Sequence, residues 1–174
     1  ISRKLGEGKL QEAESLATVA FFSSLVGGLV LLIAGLQLKT ALMKVLGATA
    51  TILPFAEEFA HYILIAAPIM CGAFVLNILL RSQGKAKLSM IGLSTGGILN
   101  IILEPIFIFK LKMGIGGAAV ATCISQAVSF VLLLSIYLAH KELARINLWL
   151  LPAALPRFFP KICASGGASL LRQS

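Results

Sequence analysis

Four long apolar stretches separated by short charged connections make up most of this chain. Residues 15–38 form a run of 24 positions with no charged side chain. At about 1.5 Å per residue that is roughly 36 Å of helix, enough to cross the ~30 Å hydrocarbon core of a bilayer. Further helices are predicted over 55–80, 88–109 and 116–139. These stretches are too long for strands, and short connections make successive helices antiparallel neighbours. The pattern predicts an all-α, polytopic membrane protein with four transmembrane helices.

Polar segments flank the apolar ones. Residues 1–14 read as a loop leading into the first helix, 140–160 as an amphipathic connection, and 161–174 as the start of a next helix. The chain is therefore expected to be part of a longer protein. Within the first span, Gly27 and Gly28 would let a neighbouring backbone approach closely. Thr51 is a candidate cap for the second helix, with Pro54, Glu57 and Glu58 in its first turn. Pro68 lies inside the second span and Pro105 inside the third, and both are candidate hinges because proline removes a helical donor. Gly92 and Gly96 form a GxxxG face, with Gly97 beside it.

Composition agrees with the membrane reading. Of 174 residues, 58% are hydrophobic and 13% charged, whereas soluble domains carry about 25% charged residues. The net charge is +8, but the basic residues alternate with the spans and form no stripe with interleaved aromatics. No nucleic-acid partner is expected from that arrangement. The first, third and fifth connections hold Arg3, Lys4, Lys9, Arg81, Lys85, Lys87, Lys141, Arg145, Arg157 and Lys161. The other two hold only Lys39, Lys44, Lys110 and Lys112. The positive-inside rule then places residues 1–14 and 140–160 in the cytoplasm.

Little else in the sequence suggests chemistry. All seven acidic residues are Glu, and Cys71, Cys123 and Cys163 show no metal-ligand spacing. No GxSxG, HExxH or phosphate-loop motif occurs, so no enzyme is expected. The exception is Glu104, inside the third span, with Asn100 on the same helical face and Pro105 directly after it. An ionisable residue at membrane depth marks a functional site by default. The carboxylate, the amide and a hydroxyl such as that of Thr122 on a packed neighbour could hold Na+ or a proton through oxygen. The alternative is that Glu104 snorkels to the interface or pairs with Lys110. Asn77 and Gln126 are expected to make interhelical hydrogen bonds, and His61 to lie near an interface.

Several segments together resemble one transporter family. They are ISRKLG with Ala13-Glu14, LGAT at 46–49, ILPFA at 52–56, FVLNILLRSQGKAKLSMIGL at 74–93, LNIILEPIFIF at 99–109 and GIGGAAVATCISQ at 114–126. In this order they are similar to the multidrug and toxic compound extrusion (MATE) family. The resemblance implies a twelve-helix transporter of two six-helix lobes. This chain would supply four transmembrane helices of the N-terminal lobe, and LLRQS would begin the seventh helix. It further implies a cation site at Asn100, Glu104 and Thr122, where Glu104 stands in place of the more usual Asp. The expected function is a Na+- or H+-coupled antiporter in the cell membrane that exports drugs and other organic, often cationic, compounds. No cofactor is expected beyond the coupling ion. The expected partners are membrane lipids, the remaining N-lobe helices and the C-lobe. Rival readings are a lipid-linked saccharide flippase and a non-transporting membrane scaffold.

Overall fold

The structure is a computed structural model and describes residues 6–140 together with Ala144 and Ile146. The remainder of the 140–160 connection and the expected helix start at 161–174 lie outside the described residues, as do residues 1–5. Among the described residues there are four long helices: α1 (Leu10–Val45), α2 (Leu53–Ser82), α3 (Ala86–Pro105) and α4 (Gly114–Ala139). A π-helical turn over Ile106–Lys110 follows α3. All four helices are long and apolar enough to cross a membrane. The protein is a multi-pass membrane protein.

α1 has 36 residues, about 54 Å of helix, so it continues past the apolar run at both ends. It stops at Gly47, which adopts φ 91°. Gly47 N–H donates to the Lys44 carbonyl at 3.0 Å and Ala48 N–H to the Met43 carbonyl at 2.9 Å, the bonding of a Schellman cap. α2 ends in the same way. Gly84 has φ 79°, and Lys85 N–H donates to the Leu80 carbonyl at 2.9 Å. Three residues, 83–85, then return the chain into α3.

The start of α2 differs from expectation. Its N-cap is Ile52, not Thr51, and no side chain caps it. The Thr49 carbonyl instead accepts from the N–H groups of Ile52 and Leu53, at 3.0 and 2.9 Å. With α2 beginning at Leu53, Glu57 and Glu58 fall beyond its first turn. They serve neighbouring helices instead. Thr40 Oγ1 of α1 donates to Glu57 Oε1 at 2.6 Å, and the Glu58 carboxylate lies against Gly116 in the first turn of α4.

α2 is the central element and packs against each of the other three helices. Its Gly72 lets the Phe130 ring of α4 lie directly over the backbone, and that ring stacks on Phe21 of α1 with centroids 6.4 Å apart. The buried cluster gathers at one end of the bundle, from Ala17 and Phe21, Leu76 and Leu80, and Leu133 and Tyr137. α1 crosses α2 at Gly28, where a Cβ would stand 2.5 Å from Pro68 Cα and 3.0 Å from the Ala67 carbonyl oxygen. Gly27 faces open space and takes no part in this approach. α2 runs unbroken through Pro68, whose missing N–H leaves the Leu64 carbonyl without its helical donor.

Candidate functional site

A face of small residues brings α3 onto α4. A Cβ at Gly96 would stand 2.9 Å from Ser129 Cβ, and one at Gly92 would overlap the Leu133 side chain. Ser129 Oγ donates to the Gly92 carbonyl at 2.9 Å, which satisfies a hydroxyl buried between the helices. Gly97 faces open space, so the approach belongs to Gly92 and Gly96 alone. One turn beyond Gly96, the same face of α3 presents Asn100.

Asn100 Nδ2 donates to Thr122 Oγ1 at 3.2 Å. Thr122 Oγ1 in turn donates to the Ala118 carbonyl at 3.0 Å. Both side chains are half-buried. Among the described residues this leaves Asn100 Oδ1 and one lone pair of Thr122 Oγ1 uncommitted. Glu104 lies one further turn along α3, about 6 Å in rise, and is also half-buried. Its carboxylate makes no hydrogen bond or ion pair with a described residue, and the pairing with Lys110 is not formed.

The structure therefore brings Asn100 and Thr122 together and sets Glu104 on the adjoining turn. Their free atoms are all oxygens, a hard donor set that fits Na+ or a proton and suits soft metals poorly. Among the described residues no three His, Cys or Glu side chains gather into a metal-binding group. Pro105 closes α3, and the backbone widens into the π turn directly after it. The third helix is thus α-helical only to Pro105, not to Phe109.

The other polar residues fall into structural roles. Asn77 Nδ2 donates to the Ser89 carbonyl at 3.3 Å, joining α2 to α3. Gln126 is half-buried and bonds no described residue. His61 is exposed, with its ring edge-on to Tyr62. Cys123 Sγ contacts the Tyr62 carbonyl at 3.3 Å. One network has no forewarning in the sequence. Gln83 Nε2 donates to Tyr137 Oη at 3.2 Å, Gln83 Oε1 accepts from Ala144 N–H at 2.7 Å, and Tyr137 Oη donates to the Ala144 carbonyl.

A protein-family model described as MatE matches residues 1–106. The chain belongs to the MatE family. Multidrug export protein MepA of Staphylococcus haemolyticus is 32% identical to it over 142 residues, which are 82% of this chain and 31% of that protein. An inward-facing multidrug resistance MATE family transporter of the MOP superfamily superposes with a TM-score of 0.81 at 30% identity. That match covers 86% of this chain and 34% of the transporter. An outward-facing transporter of the same description superposes with a TM-score of 0.79 at 30% identity, covering 84% and 33%. The chain thus spans about a third of the length of the MatE relatives it matches. Its four helices correspond to part of one multidrug efflux transporter fold.

Proposed function

We propose that the full-length protein is a cation-coupled antiporter of the cell membrane that exports drugs and other organic, often cationic, compounds. Asn100, Glu104 and Thr122 form its Na+- or H+-binding site in the N-terminal lobe. The observation that carries this reading is the Asn100–Thr122 hydrogen bond, which joins two helices one turn from a carboxylate with no described partner. A carboxylate at membrane depth is costly unless it binds a counter-ion, a proton or water. Glu104 supplies the charge that an entering cation neutralises. Asn100 Oδ1 and Thr122 Oγ1 supply the neutral oxygens around it.

Coupling then follows from differential binding. An ion that binds two conformations equally shifts nothing, whereas each tenfold preference shifts their balance by about 1.4 kcal/mol. The four-helix unit superposes comparably on an inward-facing and an outward-facing relative, which supports a lobe that moves largely as a body. The ion-dependent difference would then arise where this unit meets the rest of the protein. Membrane lipids, the remaining N-lobe helices and the C-lobe complete the assembly, with the basic connections on the cytoplasmic side.

The test is dye export by cells expressing the full-length protein, wild type against Glu104→Gln, with sodium and proton gradients collapsed separately. The proposal predicts export that follows one gradient in the wild type and is lost in the variant. Normal, gradient-dependent export by Glu104→Gln would refute it.

A further inference from the structure

Glu104 stands between two attachments of α3 to α4. The first is the Asn100–Thr122 hydrogen bond on the preceding turn. The second is the seat of the π turn on α4, three residues after Glu104. Pro105 has no N–H, so the Ile101 carbonyl beside Asn100 loses its helical donor. The Ile106 N–H turns to the Leu103 carbonyl. The chain then widens. Leu111 N–H donates to the Ile106 carbonyl at 3.0 Å, and Met113 N–H to the Phe107 carbonyl at 3.1 Å. Lys112 exits in the left-handed region with φ 54°, a conformation unfavourable for a residue bearing a Cβ.

This widened turn fits because α4 has no side chain where it lands. A Cβ on buried Gly117 would stand 2.9 Å from both the carbonyl carbon and the carbonyl oxygen of Phe107, and 2.9 Å from Met113 Cβ. The Phe107 atoms are backbone, so no rotamer change makes room. π turns inside helices are frequent at functional sites. Here the turn fixes the end of the helix segment that bears the acidic group.

The geometry points to the π turn, seated on Gly117, as the device that sets the position of the Glu104 carboxylate relative to the Asn100–Thr122 pair. Gly117 and Pro105 are then positioning residues for ion binding. This inference rests on the proposed role of Glu104. Displacing the turn moves the carboxylate away from its neutral partners without removing any ligand. Misplacing a reacting group by about 1 Å can cost orders of magnitude, so a shift of about tenfold in ion half-saturation is expected.

The test uses the purified full-length protein carrying Gly117→Ala. Gly97→Ala is the control, because a Cβ there meets open space. Ion binding is read directly, by calorimetric titration with sodium and by the infrared carboxyl band of Glu104 followed against pH. The band is identified by its loss in Glu104→Gln. The proposal predicts that half-saturation of whichever ion binds shifts about tenfold in Gly117→Ala and stays unchanged in Gly97→Ala. An unshifted half-saturation in Gly117→Ala overturns it. If Gly117→Ala does not assemble, Pro105→Ala is read in the same way, since it restores a donor to the Ile101 carbonyl and favours an α turn. Failure of the underlying role looks different: ion binding would then survive Glu104→Gln in an otherwise wild-type protein, and the inference would fall with it.

Discussion

Replacing Gly28 by alanine adds one methyl group where α1 meets the backbone of α2. That methyl carbon would stand 2.5 Å from Pro68 Cα, 3.0 Å from Pro68 N and 3.0 Å from the Ala67 carbonyl oxygen. Ordinary carbon–carbon contact lies at about 3.5–4.0 Å, so the two helices must part by about 1–1.5 Å at the crossing. A gap of about 0.5–1 Å already forfeits a quarter to a half of a contact's dispersion energy. Overpacking of this kind costs about 1–3 kcal/mol, and the upper half of that range is expected because the blocking atoms are backbone. Gly27→Ala provides the comparison. Its Cβ meets nothing within 4 Å, and removing a glycine from a helix interior contributes about 0.5–1 kcal/mol. The assay is detergent-induced unfolding of the full-length protein in mixed micelles. Gly28→Ala should unfold at clearly lower denaturing detergent than wild type, and Gly27→Ala at the same level or higher. Equal stability of the two variants would refute the helix crossing described above.

Two further outcomes test the site and its surroundings. Thr122→Val keeps the side-chain shape but removes the acceptor for Asn100. A double-mutant cycle with Asn100→Ala should return a coupling of about 0.6–1.7 kcal/mol in unfolding measurements, the range for interhelical hydrogen bonds in membranes. Tyr137→Phe removes the donor to the Ala144 carbonyl and the acceptor for Gln83. It should lower stability by about 1–3 kcal/mol, because the carbonyl of buried Ala144 loses its donor. It should also speed thiol labelling of an Ala144→Cys variant made in a background without native cysteines.

How much of this was legible in the sequence depends on the range of the interaction. The four helices follow from apolar length, and the Asn100–Glu104 face follows from a spacing of four residues. Thr122 is a candidate both as a hydroxyl on a neighbouring span and by resemblance, but its hydrogen bond to Asn100 depends on the Gly92–Gly96 approach to Ser129. Gly27 and Gly28 look alike in sequence. A rotation of about 100° per residue decides which one meets Pro68, and the pattern does not reveal that rotation. Pro105 announced a break in helical bonding, yet a missing donor can end, kink or widen a helix. Here the chain widens into a π turn, which Gly117 on another helix leaves room for. Thr51 is a candidate cap by residue type, but α2 starts one residue later, with Ile52 at the N-cap and the Thr49 carbonyl accepting from the Ile52 and Leu53 N–H groups. The Gln83–Tyr137–Ala144 network joins residues 54 and 61 positions apart, and no local rule connects them.

The most direct test of cation coupling at Glu104 is ion movement driven by substrate. The full-length protein would be reconstituted in sealed vesicles, an outward gradient of a transported dye imposed, and sodium and proton uptake recorded in the absence of any other driving force. The account predicts that dye efflux drives one of these ions inward in the wild type and that Glu104→Gln abolishes the ion movement. Ion uptake by Glu104→Gln equal to wild type would contradict it, and would place coupling outside the Asn100–Glu104–Thr122 site.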